Sequence, residues 1–188
     1  MTDSAQLGKR ERLVAGAREV LHQQGVEATT IADIAAAADV PVGNVYYYFK
    51  TKDELVEATI DSHTVTIRGA LGAFSQRRTP RTRLKALVGS WIGNADVATR
   101  HGCPHGSLCS ELDKRGGDLQ DKGATMLSLL IDWAEEQFRQ LGRRQPREDA
   151  VSLIASFQGA ALLANTLRDP NLLKTEARRL ERWIDSLG

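Results

Sequence analysis

The stretch from Thr29 to Leu55, TTIADIAAAADVPVGNVYYYFKTKDEL, constrains the fold of this chain more than any other segment. Thr30 stands where a helix N-cap belongs, and Asp33 three residues later completes a capping-box-like pair. Ile31, Ile34, Ala35 and Ala38 then recur at helical spacing and form the side to be buried. Asp39 belongs to the few residue types that tolerate a left-handed turn conformation. Pro41 suits the first turn of a following helix, where its missing N–H costs nothing. Thr51 and Glu54 make a second capping pair, so a further helix begins at about Lys52. The spacing predicts two short helices joined by a tight turn, followed at once by a third.

Almost every other segment also has the helical period. Leu13, Ala17, Val20 and Leu21 share one face of a first helix that Gly25 closes. From Lys52 a long helix runs to about Phe74, and QRRTPRTR breaks it at Pro80. Leu84, Leu87, Val88, Trp91, Ile92 and Ala95 follow the i, i+3, i+4 rule. RHGCPHG reads as a loop, and SLCSELDKR as about two helical turns before Gly116-Gly117. Met126, Leu129, Leu130, Trp133, Ala134, Phe138 and Leu141 mark another amphipathic helix. Pro146 opens the next, which is apolar on several sides to Leu167 and rich in the small residues Gly159, Ala160, Ala161 and Ala164. Leu173, Leu180, Trp183, Ile184 and Leu187 form the last stripe. The expected fold is all-α with about nine helices.

Bulk properties narrow the class. A chain of 188 residues with 41% apolar and 26% charged content is an ordinary globular composition. No uninterrupted apolar run approaches the ~18 residues of a membrane span, and MTDSAQLGKRERL has no apolar core of a signal peptide. A cytoplasmic protein with no membrane partner is the expectation. The two cysteines are too few for a disulfide framework. Net charge is +1, and residues 1–52 hold six Lys/Arg against six Asp/Glu. Any nucleic-acid binding must therefore come from where the charges sit and from pairing of two chains.

The short helix from Val42 to Phe49 has two unlike sides at about 100° per residue. Val45 and Phe49 fall on one, with Val42 at its margin, and anchor it. Gly43, Asn44, Tyr46 and Tyr47 fan over the other. Gly43 lets a sugar-phosphate strand or base edge approach the backbone. Asn44 can read a base edge, and tyrosine hydroxyls are good phosphate donors. Lys52 and the first N–H groups of its helix can hold one phosphate together, and Thr30 can do the same one helix earlier. Three consecutive tyrosines span about 200° of helix, so they cannot all be packing residues of a three-helix unit.

Thr29-Thr30, Ile34-Ala35, the core VGNVYYYFKTKDEL and the preceding helix ending at Gly25 resemble the DNA-binding domain of the TetR family of bacterial transcriptional regulators. The resemblance covers about the first 60 residues. Asp39 replaces a glycine common in the turn, and Pro41 replaces a small hydroxyl residue that often caps the recognition helix. The resemblance implies DNA contacts from Thr30, Gly43, Asn44, Tyr46, Tyr47 and Lys52, with Val42 and Lys50 as further candidates. It also implies a helix-turn-helix domain over residues 1–52 and an effector-binding and dimerisation domain over 53–188. The last two helices would hold the homodimer. The partners expected are double-stranded palindromic operator DNA and a small organic effector that releases the repressor; no cofactor and no enzyme activity are expected.

Two constellations remain. HGCPHGSLC, from His101 to Cys109, gathers two histidines and both cysteines. Imidazole and thiolate suit Zn²⁺ or Cu(I), and Cys103 near a helix start suits a thiol switch. The plain alternative is a Pro-Gly helix start with Cys109 as a small core residue. The H-x-C-x-H-x3-C spacing matches no zinc module, so no metal site is assigned. Trp91, Trp133 and Phe157 lie mid-helix on apolar faces, where they either line an effector cavity or form ordinary core. The rival functions are thus a thiol- or metal-sensing regulator using Cys103 and Cys109, and a constitutive DNA-binding or interaction module without ligand.

Overall fold

The computed structural model describes residues 8–187, and these form helices and no strand. The elements are α1 (Lys9–Ala28), α2 (Ile31–Ala37), α3 (Val42–Tyr48), α4 (Lys52–Ser75), α5 (Pro80–Gly93), α6 (Ala95–His101), α7 (Pro104–Arg115), α8 (Asp118–Gln140), α9 (Pro146–Leu167) and α10 (Pro170–Ser186). The first seven residues of the segment read as lacking a signal peptide lie outside the described residues. The all-α expectation holds. The periodic pattern through Ala95 runs α5 and α6 together, whereas Asn94 separates them. The segment RHGCPHG is a loop only at Gly102 and Cys103: α6 continues through His101, Gly102 ends it with a φ of 81°, and Pro104 opens α7.

Two compact units emerge. The first extends through Val65 and takes in Ser107–Ala124; the second consists of Thr66–Gly106 and the chain from Thr125 onward. The unit that carries the helix-turn-helix therefore reaches past residue 52 into α4, and it includes most of α7.

In the first unit, α1 buries Leu13, Val14, Ala17 and Leu21. Val20 and Ile31, expected on buried faces, are only half-buried. Against α1 lies α2 with Ile34 and Ala35 fully enclosed, and α2 in turn packs on α3 through Val45. The approach of α1 to α2 leaves little room for a side chain at residue 16. A Cβ on Gly16 would stand 3.0 Å from the Ala38 nitrogen and 3.1 Å from the Ile34 carbonyl oxygen.

In the second unit, α10 packs against α9, α5 and α6. Its stripe Leu173, Ala177, Leu180 and Ile184 is buried, as the sequence pattern requires. In the same unit α5 buries Leu84, Leu87 and Val88, and α9 buries Leu153, Ile154 and Phe157. The Phe138 and Trp183 rings meet at 5.5 Å. Two arginines of RRTPRTR, Arg81 and Arg83, are put to structural use. Arg81 donates to the carbonyls of Ile184 (2.7 Å), Asp185 (2.5 Å) and Leu187, closing the C-terminus of α10. Arg83 donates to the Arg77 carbonyl at 2.9 Å and to Gln140 at 3.0 Å. Helix ends leave such carbonyls without partners, and cations there also meet the negative end of the helix dipole.

Gly16→Ala should destabilise the fold by about 1–2 kcal/mol despite the better helix propensity of alanine, because the atoms it meets are backbone and cannot swing aside. Equilibrium denaturant unfolding measures this; a variant as stable as the parent would mean that α1 and α2 can separate freely.

Candidate nucleic-acid interface

Local capping fixes where each surface group stands. At Thr30 the capping box is complete. The Thr30 hydroxyl oxygen accepts from the Asp33 N–H at 3.2 Å, and the Asp33 carboxylate accepts from the Thr30 N–H at 2.8 Å and from its hydroxyl at 2.7 Å. These bonds, the Thr30 hydroxyl first, hold the Asp33 carboxyl below the ordinary aspartate pKa. In the turn, Asp39 takes the expected left-handed conformation at φ 51°. Its carboxylate lies 3.4 Å from Arg12 across the surface. Pro41 is the N-cap of α3, its carbonyl accepting from the Asn44 N–H at 2.8 Å.

The two sides of α3 are as unlike as the sequence pattern requires. Val45 and Phe49 are buried, and the Arg10 guanidinium covers the Phe49 ring at 5.2 Å. Tyr47 is 81% exposed, and Val42, Tyr46 and Tyr48 are exposed beside it. An added Cβ at Gly43 would meet nothing within 4 Å, so its surface is open. Asn44 is half-buried at the edge of this face. Tyr48 was not among the sequence candidates, yet its exposure puts it on the same rim.

The two lysines stand differently from one another. Lys50 is exposed, its ammonium donating to the Tyr46 carbonyl and its N–H to Glu54 at 2.7 Å. Lys52 is half-buried. Its ammonium donates to the carbonyls of Val26 (2.8 Å) and Thr29 (2.9 Å), with Glu27 at 3.4 Å. An ammonium has three protons, and here they point at the junction of α1 and α2. The charge of Lys52 remains near the surface while its donors serve the fold. At the start of α4, Thr51 accepts from the Glu54 N–H at 3.1 Å, as the capping pair predicts.

The aromatic trio separates into two sets. Trp91 and Phe157 stack with ring centroids 4.1 Å apart, both nearly buried between α5 and α9. Trp133 instead meets Phe74 edge-on at 6.2 Å and donates its indole N–H to Ser75 at 2.9 Å. The two cysteines form no disulfide. Cys103, rather than Cys109, is the buried thiol. Its sulfur accepts from the Gly106 N–H at 3.5 Å, as an N-cap side chain does for α7, with Gln158 at 3.6 Å. The Cys109 thiol donates to the Gly123 carbonyl at 3.2 Å. Among the described residues, no three His, Cys, Asp or Glu side chains gather as a metal site would require.

Residues 13–59 match the family model described as "Bacterial regulatory proteins, tetR family". An HTH-type transcriptional regulator BetI from Paraburkholderia phymatum is 34% identical over 187 residues, covering 95% of this chain and 92% of its own. The chain belongs to the TetR family. A further HTH-type regulator, from the lacX 3' region of Lactococcus lactis, is 28% identical over 95% of this chain and 94% of its own. A TetR regulator from Legionella pneumophila has the same fold, with a TM-score of 0.85 over 98% of both chains at 21% identity. The protein is a helix-turn-helix transcriptional regulator of that family, a family of regulators and not of enzymes.

Two contacts of this unit are not visible in motif spacing: Gly16 of α1 lies close to the Ala38 and Ile34 backbone, and the Val26 N–H donates to the Glu111 carboxylate of α7 at 2.6 Å. The Asp33 cap gives a pH signature. Because its folded-state pKa is depressed, its contribution is complete above the ordinary aspartate pKa and is lost as pH falls through the lower folded value. Asp33→Asn should therefore lower stability at neutral pH and flatten the acid limb of the stability curve. Thermal unfolding across acid pH measures both; parallel acid limbs for parent and variant would show that Asp33 carries no such linkage.

Proposed function

We propose that this TetR-family regulator binds palindromic operator DNA as a homodimer in the cytoplasm and is a repressor released by a small organic effector. Residues 1–52 carry the DNA contacts, and 53–188 carry the effector site and the dimer interface. The observation that supports this best is the outward face of α3. An 81% exposed tyrosine, two further tyrosines and an open glycine sit on a short helix whose other side is anchored by Val45 and Phe49. Such a helix can enter a major groove with Asn44 at a base edge and Tyr46 and Tyr47 at phosphates. Thr30, Val42 and Lys50 border the same face. Lys52 contributes its charge and the N-terminus of α4.

Dimerisation through α9 and α10 accounts for the outer face of α9. Among the described residues, α9 is the one helix long and apolar enough to cross a membrane by length and composition, yet only 39% of its most apolar window is buried. Leu162, Leu163 and Leu167 are each more than half exposed, beside an open groove of about 580 Å³ lined by Ala155, Gly159, Leu163 and Leu172. Exposed apolar surface of this extent marks an interaction face. Of the small residues of α9, Ala160, Ala161 and Ala164 are buried in the protomer, Ala160 at the wall of this groove, and Gly159 is exposed. Pairing two chains sets two recognition helices about 34 Å apart, one turn of DNA. For the effector, the Trp91–Phe157 stack offers an aromatic wall between α5 and α9, and Trp133 beside Phe74 offers a second.

Tyr47→Ala should weaken binding to all DNA sequences alike, whereas Asn44→Ala should also relax base preference. Titrating both into a panel of duplexes by fluorescence anisotropy checks this, and unchanged affinity in both would remove α3 from the interface. Gly159→Glu places an unpartnered charge on the outer face of α9 and should shift the protein toward monomer, with operator affinity falling alongside. A variant that still sediments as a dimer would put the interface elsewhere.

A further inference from the structure

Inside α1 the chain departs from helical geometry at one residue, Gly25, with φ 83° and ψ 169°. The break displaces the Val26 N–H from the helical ladder, and an unpaired N–H there would be costly because Val26 is buried. The missing acceptor comes from α7. The Glu111 carboxylate accepts from the Val26 N–H at 2.6 Å. It can come so near because residue 25 has no side chain: a Cβ would lie 2.8 Å and 2.9 Å from the two carboxylate oxygens. The carbonyl of Val26 is held as well, by the Lys52 ammonium at 2.8 Å. One residue at the exit from α1 is thus gripped at both backbone groups by opposite charges from two other helices. Between this point and the cap of α2 at Thr30 there are only a few residues.

We propose that Glu111 is a positioning residue for DNA recognition. By holding the Val26 N–H at the Gly25 break, it sets the angle at which α2 and α3 leave α1. Its effect on DNA is indirect and opposite to its charge. An anion near a DNA-binding unit repels phosphate, so charge alone makes Glu111→Ala bind all DNA slightly more tightly. Loss of positioning weakens operator binding alone, since base contacts need the recognition helix at one angle while phosphate contacts tolerate several.

The inference rests on the DNA-binding reading, which the wild-type protein tests by itself when it recovers a defined operator from a random-sequence pool. Glu111→Ala should then bind that operator about tenfold more weakly with affinity for unrelated duplex unchanged or raised, as loss of a charge-assisted hydrogen bond allows. Glu111→Gln keeps a carbonyl acceptor and should fall between the two, within about threefold of wild type. Hydrogen exchange, followed by NMR without DNA, should show the Val26 amide slowed in wild type, intermediate in Glu111→Gln and fast in Glu111→Ala. A ratio of specific to non-specific affinity unchanged in Glu111→Ala would overturn the proposal, as would an equal fall in both affinities, which is what simple loss of stability produces. Should Glu111→Ala not fold, Glu111→Gln decides. A reduced ratio with faster Val26 exchange supports the positioning role, and wild-type values of both overturn it.

Discussion

A helix that must stop and turn leaves carbonyls and N–H groups with no partners, and the DNA-reading half of this protein is organised around one such place. Where α1 gives way to α2, the carbonyls of Val26 and Thr29 receive the Lys52 ammonium at 2.8 Å and 2.9 Å. The buried Thr29 hydroxyl donates back to the Gly25 carbonyl at 2.5 Å, and Glu111 takes the Val26 N–H. Left unpaired in a buried setting, each of these groups would cost about 1–3 kcal/mol. The junction is therefore stiff for enthalpic reasons, although it contains a glycine. Stiffness there lets a seven-residue helix such as α3, too short to be stable alone, present its tyrosines in one orientation.

The same arrangement bears on how Lys52 is to be understood. In a helix-turn-helix, a lysine at the start of the following helix is naturally read as a phosphate ligand. Here its donors are engaged by the backbone, so its removal would disturb the position of α2 and α3 together with the local charge. On the proposed reading, phosphate recognition then rests more heavily on the tyrosine hydroxyls, because the N-terminal turns of α2 and α4 are already capped by Thr30 with Asp33 and by Thr51. A near-neutral chain, at +1, gains little from diffuse attraction, and well-positioned contacts must supply what bulk charge does not.

The second unit applies the same physics to a different end. Arg81 closes the carbonyls at the end of α10, and Asn165 and Arg168 reach the Thr99 and Arg100 carbonyls at the end of α6. Polar groups inside the bundle are thereby satisfied, and its apolar excess is left on the outside of α9. That distribution suits a protein whose unit of function is two chains.

Much of this was legible in the sequence because it depends on near neighbours. Helical period, the Thr30–Asp33 and Thr51–Glu54 caps, the left-handed turn at Asp39 and the outward set Gly43, Asn44, Tyr46 and Tyr47 are all local, governed by spacings of three and four residues. What lay beyond the sequence depends on contacts between residues far apart in the chain. Periodicity marks Ala160, Ala161 and Ala164 as small but cannot say that they face their own core, since α9 is apolar on several sides and packing alone chooses its orientation. Nothing within four residues of Arg81 announces that it will cap a helix about a hundred residues later. Trp91, Trp133 and Phe157 looked alike as aromatic mid-helix positions; tertiary packing stacked the first and last and gave Trp133 to Phe74 and Ser75. Gly25 reads from the sequence as the closing residue of a helix; the structure breaks helical geometry there, although α1 resumes and runs to Ala28. That Gly25 also makes room for a carboxylate from α7 was decided only when the chain folded, because the space beside a glycine has no meaning until another segment occupies it.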